Sequence, residues 1–316
     1  MRYLVVGLGN IGQRRRALLG ERCVATADPF NDAADYRSAR ECPPDSYDSA
    51  ILAIPDDDKL ELATYLLEHG KHVLIEKPLP LPDEATARRL ERLARGRKRA
   101  LYTAYNHRFE PLLAELKEQV ATGAIGEVYH GRLFYGNGTA RHVAGTWRDQ
   151  GLGVISDLGC HLLDLLASAG VVKPVLPRRD SEPDLEMMLT GFQAIETKAP
   201  DHAVLSSADG RFTLEMMYHA WRNSFAFELY GSEGSIHCFG LRKWGGSKLI
   251  VRRRVFPSGR PAETIRTDDG PDVTWERELE HFERLCAAGT TDLATDWWIS
   301  SVQWRAGATL AVRRRG

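Results

Sequence analysis

Over the first hundred positions, apolar residues come in short runs separated by helical stretches. Tyr3–Val6, Cys23–Ala27, Ser49–Ile54, His72–Ile75 and Arg99–Ala104 read as buried strands, because a strand covered on both faces needs a nearly continuous apolar run. Between the later runs, 59–69 and 83–95 carry apolar residues at helical spacing. Leu60, Ala63, Leu66 and Leu67 share one face of the first of these, with Gly70 as its expected C-terminal cap. This alternation predicts right-handed crossovers and a doubly wound parallel sheet over residues 1–104. After about Tyr105 the pattern changes. A helix over 111–122, a strand over 127–135 and an apolar helix over 156–164 are expected, and then strands succeed one another from Glu186 to Ile265, among them Phe225–Gly231 and Ser235–Gly240. Strands without helices between them imply an antiparallel sheet. Helices return over 275–287 and 292–312. The expectation is therefore an α/β chain whose second domain, 105–316, is α+β with an open, mostly antiparallel sheet and final helices able to pack back on the first.

Composition narrows the class without naming a chemistry. The chain has 316 residues, 43% hydrophobic and 27% charged, ample for two cores. A net charge of −1 gives no global attraction to nucleic acid or anionic membrane, and Arg252–Arg254 and Arg313–Arg315 read as solvated charge. No apolar run approaches membrane-spanning length, and MRYLVVGLGNIG lacks the apolar centre of a signal peptide. The five cysteines are scattered and never in C-x-x-C spacing, which fits reduced thiols in a cytoplasm and no zinc cluster. The Pro-rich, charged segment 176–184 reads as a surface loop.

Gly7-x-Gly9-x-x-Gly12 stands between the first strand and the first helix. Gly7 permits a tight turn, Gly9 lets the backbone approach a pyrophosphate, and Gly12 allows close helix–strand packing. Free N–H groups of the helix start, around Asn10 and Ile11, suit phosphate. In an alternating chain this makes the first domain a Rossmann domain for a dinucleotide. Asp28, sixteen positions past Gly12, ends the second strand, where a carboxylate accepts ribose hydroxyls and repels a 2′-phosphate. NAD is expected, and Arg14–Arg16 keep NADP open. Glu76-Lys77-Pro78 ends the fourth strand, at the carboxyl edge where open α/β sheets bind ligands. A lysine there can donate to a substrate oxygen.

The stretch SDLGCHLLD, 156–164, puts Asp157, His161 and Asp164 at i, i+4 and i+7, on one face of an apolar helix. Three readings compete: a metal site, a satisfied core histidine, or an acid/base group. One histidine and two carboxylates are thin coordination for a metal.

GLGNIG, ILAIP, GKHVLIEKP, YNHRF at 105–109 and W-R-x₂-x-G-x-G-x₃-D-x-G-x-H-x₂-D at 147–164 occur in that order. Together they resemble the Gfo/Idh/MocA family of nicotinamide-dependent oxidoreductases, well over the first half of the chain and in texture only over the second. The resemblance implies NAD(P)-dependent oxidation of a hydroxyl, or reduction of a ketone, on a sugar or cyclitol. It makes Lys77, Asp157 and His161 the catalytic group, with His161 as base. It adds Ile54, Pro55, Glu76 and Asn106 to the cofactor side, and it lines the substrate pocket with Tyr105, Asn106, His107, Arg108, Trp147 and Arg148. Arg108 and Arg148 suit a phosphate or carboxylate and keep a nucleotide-linked sugar in play, while Asp164 reads as holding its helix. The resemblance also implies a homodimer or homotetramer through the second domain's sheet, where Phe225, Phe227, Leu229 and Tyr230 suggest apolar residues on both faces. Two rivals remain: a glycosidase using held NAD in oxidation and elimination, and a regulator that binds dinucleotide without turnover. The chain departs from the family pattern at Gly151-Leu152-Gly153, where three glycines are usual, at Asp56–Lys59, where a histidine is common, and in a short first helix.

Overall fold

The computed structural model describes residues 1–176 and 185–313, so most of the expected surface loop and the end of the second arginine triplet lie outside the described residues. In chain order the first elements are β1 (Tyr3–Val6), α1 (Asn10–Leu19), β2 (Cys23–Ala27), β3 (Ser49–Leu52), α2 (Asp56–Glu68), β4 (His72–Glu76), α3 (Glu84–Gly96) and β5 (Leu101–Ala104). Then come α4 (Pro111–Ala121), β6 (Val128–Gly136), the single turn α5 (Ala140–Val143) and α6 (Cys160–Ser168). Seven strands follow: β7 (Met187–Gln193), β8 (His202–Ser207), β9 (Phe212–Met217), β10 (Ser224–Gly231), β11 (Gly234–Phe239), β12 (Ser247–Arg253) and β13 (Glu263–Asp268). The last helices are α7 (Thr274–Ala288) and α8 (Ala294–Arg313). Contacts divide the chain into one unit of Met1–Tyr105 with Trp275–Ser300, and a second of Asn106–Thr274 with the chain from Ser301 onward.

The first unit is a parallel five-stranded sheet in the order β2-β1-β3-β4-β5. Strand order reverses beside β1, so the glycine loop that follows β1 opens at the topological switch point, where such sheets bind ligands. Tyr3, Val5, Ile51, Leu74 and Tyr102 form its core with Leu279 and Phe282 of α7. Helix α2 starts at Asp56, three residues before its apolar period begins, because Asp56, Asp57 and Asp58 in the first turn suit the positive end of the helix dipole. Asp83 caps α3 by accepting the Thr86 N–H at 2.7 Å.

The second unit is an eight-stranded sheet in the order β13-β12-β11-β10-β6-β9-β8-β7, antiparallel except where β6 runs parallel to β9. Phe225, Phe227 and Leu229 alternate with outward residues and are all buried, on the face shared with Leu133 and Tyr135 of β6. Tyr230, the fourth residue named for the apolar faces, lies on the other side of the sheet. The opposite face mixes half-buried Phe134, Val204, Met217, Ala226, Tyr230 and Phe239 with Arg132, Glu228 and Arg252. One correction concerns 156–164. Ile155–Gly159 is a π-helical turn, and the α-helix begins only at Cys160. Asp157 and His161 therefore do not share one α-helical register. The wide turn lies against β9, where a Cβ on Gly159 would stand 2.9 Å from the Met216 sulfur. Such turns recur at functional sites.

Candidate active site

In the first unit the three loop glycines meet three different constraints. Gly7 has φ +85° and faces the Ala53 carbonyl, which a Cβ would approach to 2.3 Å. Gly12 packs α1 against the Gly7 carbonyl, only 1.7 Å from where a Cβ would stand. Gly9 has nothing within 4 Å of that position, so its backbone borders open space. It is the N-cap of α1, and no side chain caps the helix there, which leaves the amides at Asn10 and Ile11 to an incoming anion. A cradle that excludes side chains at two glycines and opens at the third fits a dinucleotide pyrophosphate. Ile54 and Pro55 follow β3 beside it, with the Ile54 Cγ2 near Gly7.

Asp28 follows β2 directly and turns toward the same loop. Its carboxylate accepts the Leu8 N–H at 2.7 Å and the Phe30 N–H at 2.8 Å. Burial opposes its charge, but these donors, Asn31 N–H and nearby Arg37 hold the carboxyl below its ordinary pKa, so it stays anionic. Of the arginines that kept NADP open, Arg15 is 1% exposed and committed to carboxylates: its Nε donates to Glu76 at 2.7 Å and an Nη to Glu278 at 2.6 Å. The Arg14 guanidinium lies 4.2 Å from the Trp275 ring. Glu76 is thus anchored from behind by Arg15. Lys59, in the segment that departs from the family pattern, is 2% exposed and donates to Asp56 at 2.6 Å and to the Pro78 carbonyl at 2.9 Å, bracing the chain just past Lys77. The sequence drew notice to both only within runs, Arg14–Arg16 and Asp56–Lys59, and did not suggest these partners.

The second unit assembles Asp157 and His161 with partners that sequence spacing did not suggest. Tyr218, the residue after β9, donates to Asp157 at 3.2 Å, and the Arg148 Nε lies 3.8 Å from the same oxygen. Arg148 also lies 5.0 Å from the ring of Trp147, which is 57% exposed. His161 is buried, and its ring lies parallel to that of His107, centroids 4.1 Å apart and planes 8° apart. Two residues expected on the pocket wall are nearly inaccessible: Tyr105 in the first unit is 1% exposed and His107 in the second is 2%. His107 has both ring nitrogens engaged, Nδ1 with Asn106 Oδ1 and Nε2 with the Tyr135 hydroxyl. Arg108 forms a two-pronged pair with Asp164, itself 1% exposed. That commits much of the guanidinium to α6 rather than to a substrate anion. Among the described residues, no group of three or more His, Cys, Asp or Glu is placed to hold a metal ion, and no helix is long and apolar enough to cross a membrane.

Glu110 lies beside this cluster, 2% exposed, accepting the Arg242 N–H at 3.4 Å. Burial pushes its pKa up to about 7, with Asp272 adding to the rise. The unfolded chain releases this proton near the ordinary glutamate value, so stability is fully present below about pH 4.5 and falls as pH rises to about 7. The loss amounts to at most about 3 kcal/mol. Glu110→Gln should remove this slope and be more stable than the parent at pH 8. Denaturant midpoints at pH 5 and pH 8 measure it, and equal slopes in both proteins would refute it.

Comparison with known proteins finds family matches in both halves of the chain. Residues 1–105 match the model of an oxidoreductase family with an NAD-binding Rossmann fold, and residues 113–237 match the GFO/IDH/MocA C-terminal domain. The oxidoreductase YdgJ of Escherichia coli K12 is 31% identical over 197 residues, 61% of this chain and 54% of that protein. Levoglucosan dehydrogenase of Pseudarthrobacter phenanthrenivorans is 26% identical over 232 residues, 65% of this chain and 58% of that one. The chain spans about half the length of the curated relatives it matches first. Among solved structures, levoglucosan dehydrogenase in complex with NADH superposes with a TM-score of 0.77 at 17% identity, covering 98% of this chain and 97% of that one. An NAD-binding oxidoreductase from Klebsiella pneumoniae gives 0.76 at 20% identity, covering 99% and 97%. At such identities the likeness is one of fold.

Proposed function

The chain belongs to the Gfo/Idh/MocA oxidoreductase family, and from that membership we propose that it transfers a hydride between a nicotinamide dinucleotide and a secondary alcohol or ketone of a sugar, nucleotide-linked sugar or cyclitol. The observation that carries this reading is the glycine loop at the switch point, closed to side chains at Gly7 and Gly12 and open at Gly9. Gly7, Gly9, Asn10, Ile11 and Gly12 would hold the pyrophosphate, Asp28 the ribose, and Ile54, Pro55, Glu76 and Asn106 the nicotinamide side. When bound, the nicotinamide supplies or accepts the hydride. The protein's own residues handle the proton and the charge. His161 takes the hydroxyl proton, as an imidazole can near neutrality. Lys77 donates to the same oxygen and favours the developing alkoxide. Asp157, tied to Tyr218, orients the hydroxyl, and Trp147 and Arg148 border the substrate. Names of relatives support the substrate class: besides levoglucosan dehydrogenase, an inositol 2-dehydrogenase of Rhizobium meliloti is 29% identical over 143 residues. The test is a panel of sugars, nucleotide sugars and cyclitols, followed by absorbance of the reduced nicotinamide. Bound NAD with no absorbance change across the panel would reject the reading.

NAD should bind more tightly than NADP, because the Asp28 carboxylate is anionic and aimed at the loop, where a 2′-phosphate would meet it. Titrating both cofactors decides this, and a clear NADP preference would sink it. We also propose that two copies pair through the outward face of the eight-stranded sheet. Its half-buried Phe134, Ala226 and Phe239 are neighbours across β6, β10 and β11, and Arg132 pairs with Glu228 at 2.9 Å along the same face. Such a face, part apolar and part charged, suits a two-fold contact. A monomer by light scattering at micromolar concentration would reject it.

A further inference from the structure

We propose that Lys243, Tyr135 and Asn106 lock His107 as a neutral imidazole carrying its proton on Nδ1, and that this ring is the positioning residue that lets its stacked neighbour His161 take a proton. The second half rests on His161 being the base proposed above.

The tautomer follows from donor and acceptor chemistry at two separate ends of one chain of hydrogen bonds. At one end, the Lys243 ammonium can only donate, and it does so to the Tyr135 hydroxyl at 2.9 Å. The Tyr135 proton then points to the His107 Nε2 at 3.2 Å, which must accept. At the other end, the Thr274 hydroxyl gives its single proton to Asp272 at 2.6 Å. It can therefore only accept from Asn106 Nδ2, which lies 3.0 Å away. That orients the Asn106 amide so that its Oδ1 faces His107 Nδ1 at 3.1 Å, and the ring nitrogen must donate. Both ends demand the same tautomer. The chain runs from a cation to an anion through five hydrogen bonds and four segments of the second unit, and His107 lies near its middle, 2% exposed.

Neutrality is what matters for the neighbour. The His161 and His107 rings are 4.1 Å apart and nearly parallel, at 8°. A second imidazolium at that distance would oppose proton uptake by His161, whereas a neutral ring offers a polarisable face to the new cation. Protonating His107 would turn an N–H toward a hydroxyl that already accepts from Lys243, and would leave the Tyr135 proton without its acceptor.

The test combines imidazole nitrogen NMR with kinetics on the full-length protein. In the parent, His107 should show a protonated Nδ1 and a bare Nε2 across pH 6–8. Tyr135→Phe keeps the ring and removes the link. It should release His107 into mixed tautomers or protonation and lower turnover about tenfold, a part of the roughly 10²–10⁴-fold that general-base catalysis supplies. NAD affinity should stay unchanged. Lys243→Met, on an exposed side chain and so safe for folding, should shift the His107 signals in the same direction. A parent His107 protonated on Nε2, or a Tyr135→Phe protein with parental nitrogen shifts and turnover, would overturn the proposal. If His161→Ala keeps its turnover, the base assignment falls and takes the second half with it; the nitrogen shifts then show whether the lock itself exists.

Discussion

His161→Ala should lower turnover by about 10²–10⁴-fold while leaving NAD affinity nearly unchanged. The proton acceptor is lost, but the glycine loop and Asp28 belong to the other unit and keep their geometry. The effect should fall on the chemical step, so kcat and kcat/KM should decline together, as they do when an interaction made only in the transition state is removed. A pH–rate profile should lose its ionisation near neutrality in the variant. Lys77→Ala should behave similarly and also disturb nicotinamide placement, because Lys77 follows directly on Glu76, which Arg15 anchors. Stopped-flow turnover with the best substrate of the panel, alongside NAD titration, makes the measurement. Near-normal turnover in His161→Ala would make the stack of His161 on His107 a packing feature and the base assignment wrong.

What could be read from the sequence was local. The glycine loop declares itself because each glycine answers to a constraint within a few residues: the turn at Gly7, the open side of Gly9, and Gly12 against the Gly7 carbonyl. The parallel sheet was equally legible, since strand–helix alternation has few topological solutions. Helical spacing was a weaker guide at 156–164, where packing against β9 widens the turn and changes the register between Asp157 and His161. Polar partners were the hidden part. Tyr218 reaches Asp157 across 61 positions, and Arg108 reaches Asp164 across 56. No periodicity relates such positions, because packing between elements distant in the chain brings them together. Arg108 and His107 looked like ligands for the same reason: a polar residue in a motif reads as free until its partner is known.

The arginine triplet after the glycine loop hides the largest structural effect. Arg15→Met should destabilise the protein by about 3–5 kcal/mol at neutral pH. The guanidinium is 1% exposed and pairs with Glu76 at 2.7 Å and with Glu278, whose side chain is fully buried, at 2.6 Å. Methionine can refill much of the volume beside Trp275, so the loss should come mainly from charge: the fully buried Glu278 carboxylate loses the guanidinium it pairs with. Loss of that cation should push the Glu278 pKa in the folded variant above its value in the folded parent. The penalty should therefore grow as pH rises and shrink as pH falls toward 5, where protonation removes the charge. Adding Glu278→Gln to Arg15→Met should restore part of the stability at pH 8, because Glu76 is partly exposed and can still reach solvent. Urea denaturation of the single and double variants at pH 5 and pH 8 measures all of this. A loss below about 1 kcal/mol at pH 8 would mean that the buried pair is replaceable by packing alone, as some buried ion pairs are. The anchoring of Glu76, and through it the setting of Lys77, would then have to come from the Lys59 brace on the Pro78 carbonyl rather than from Arg15.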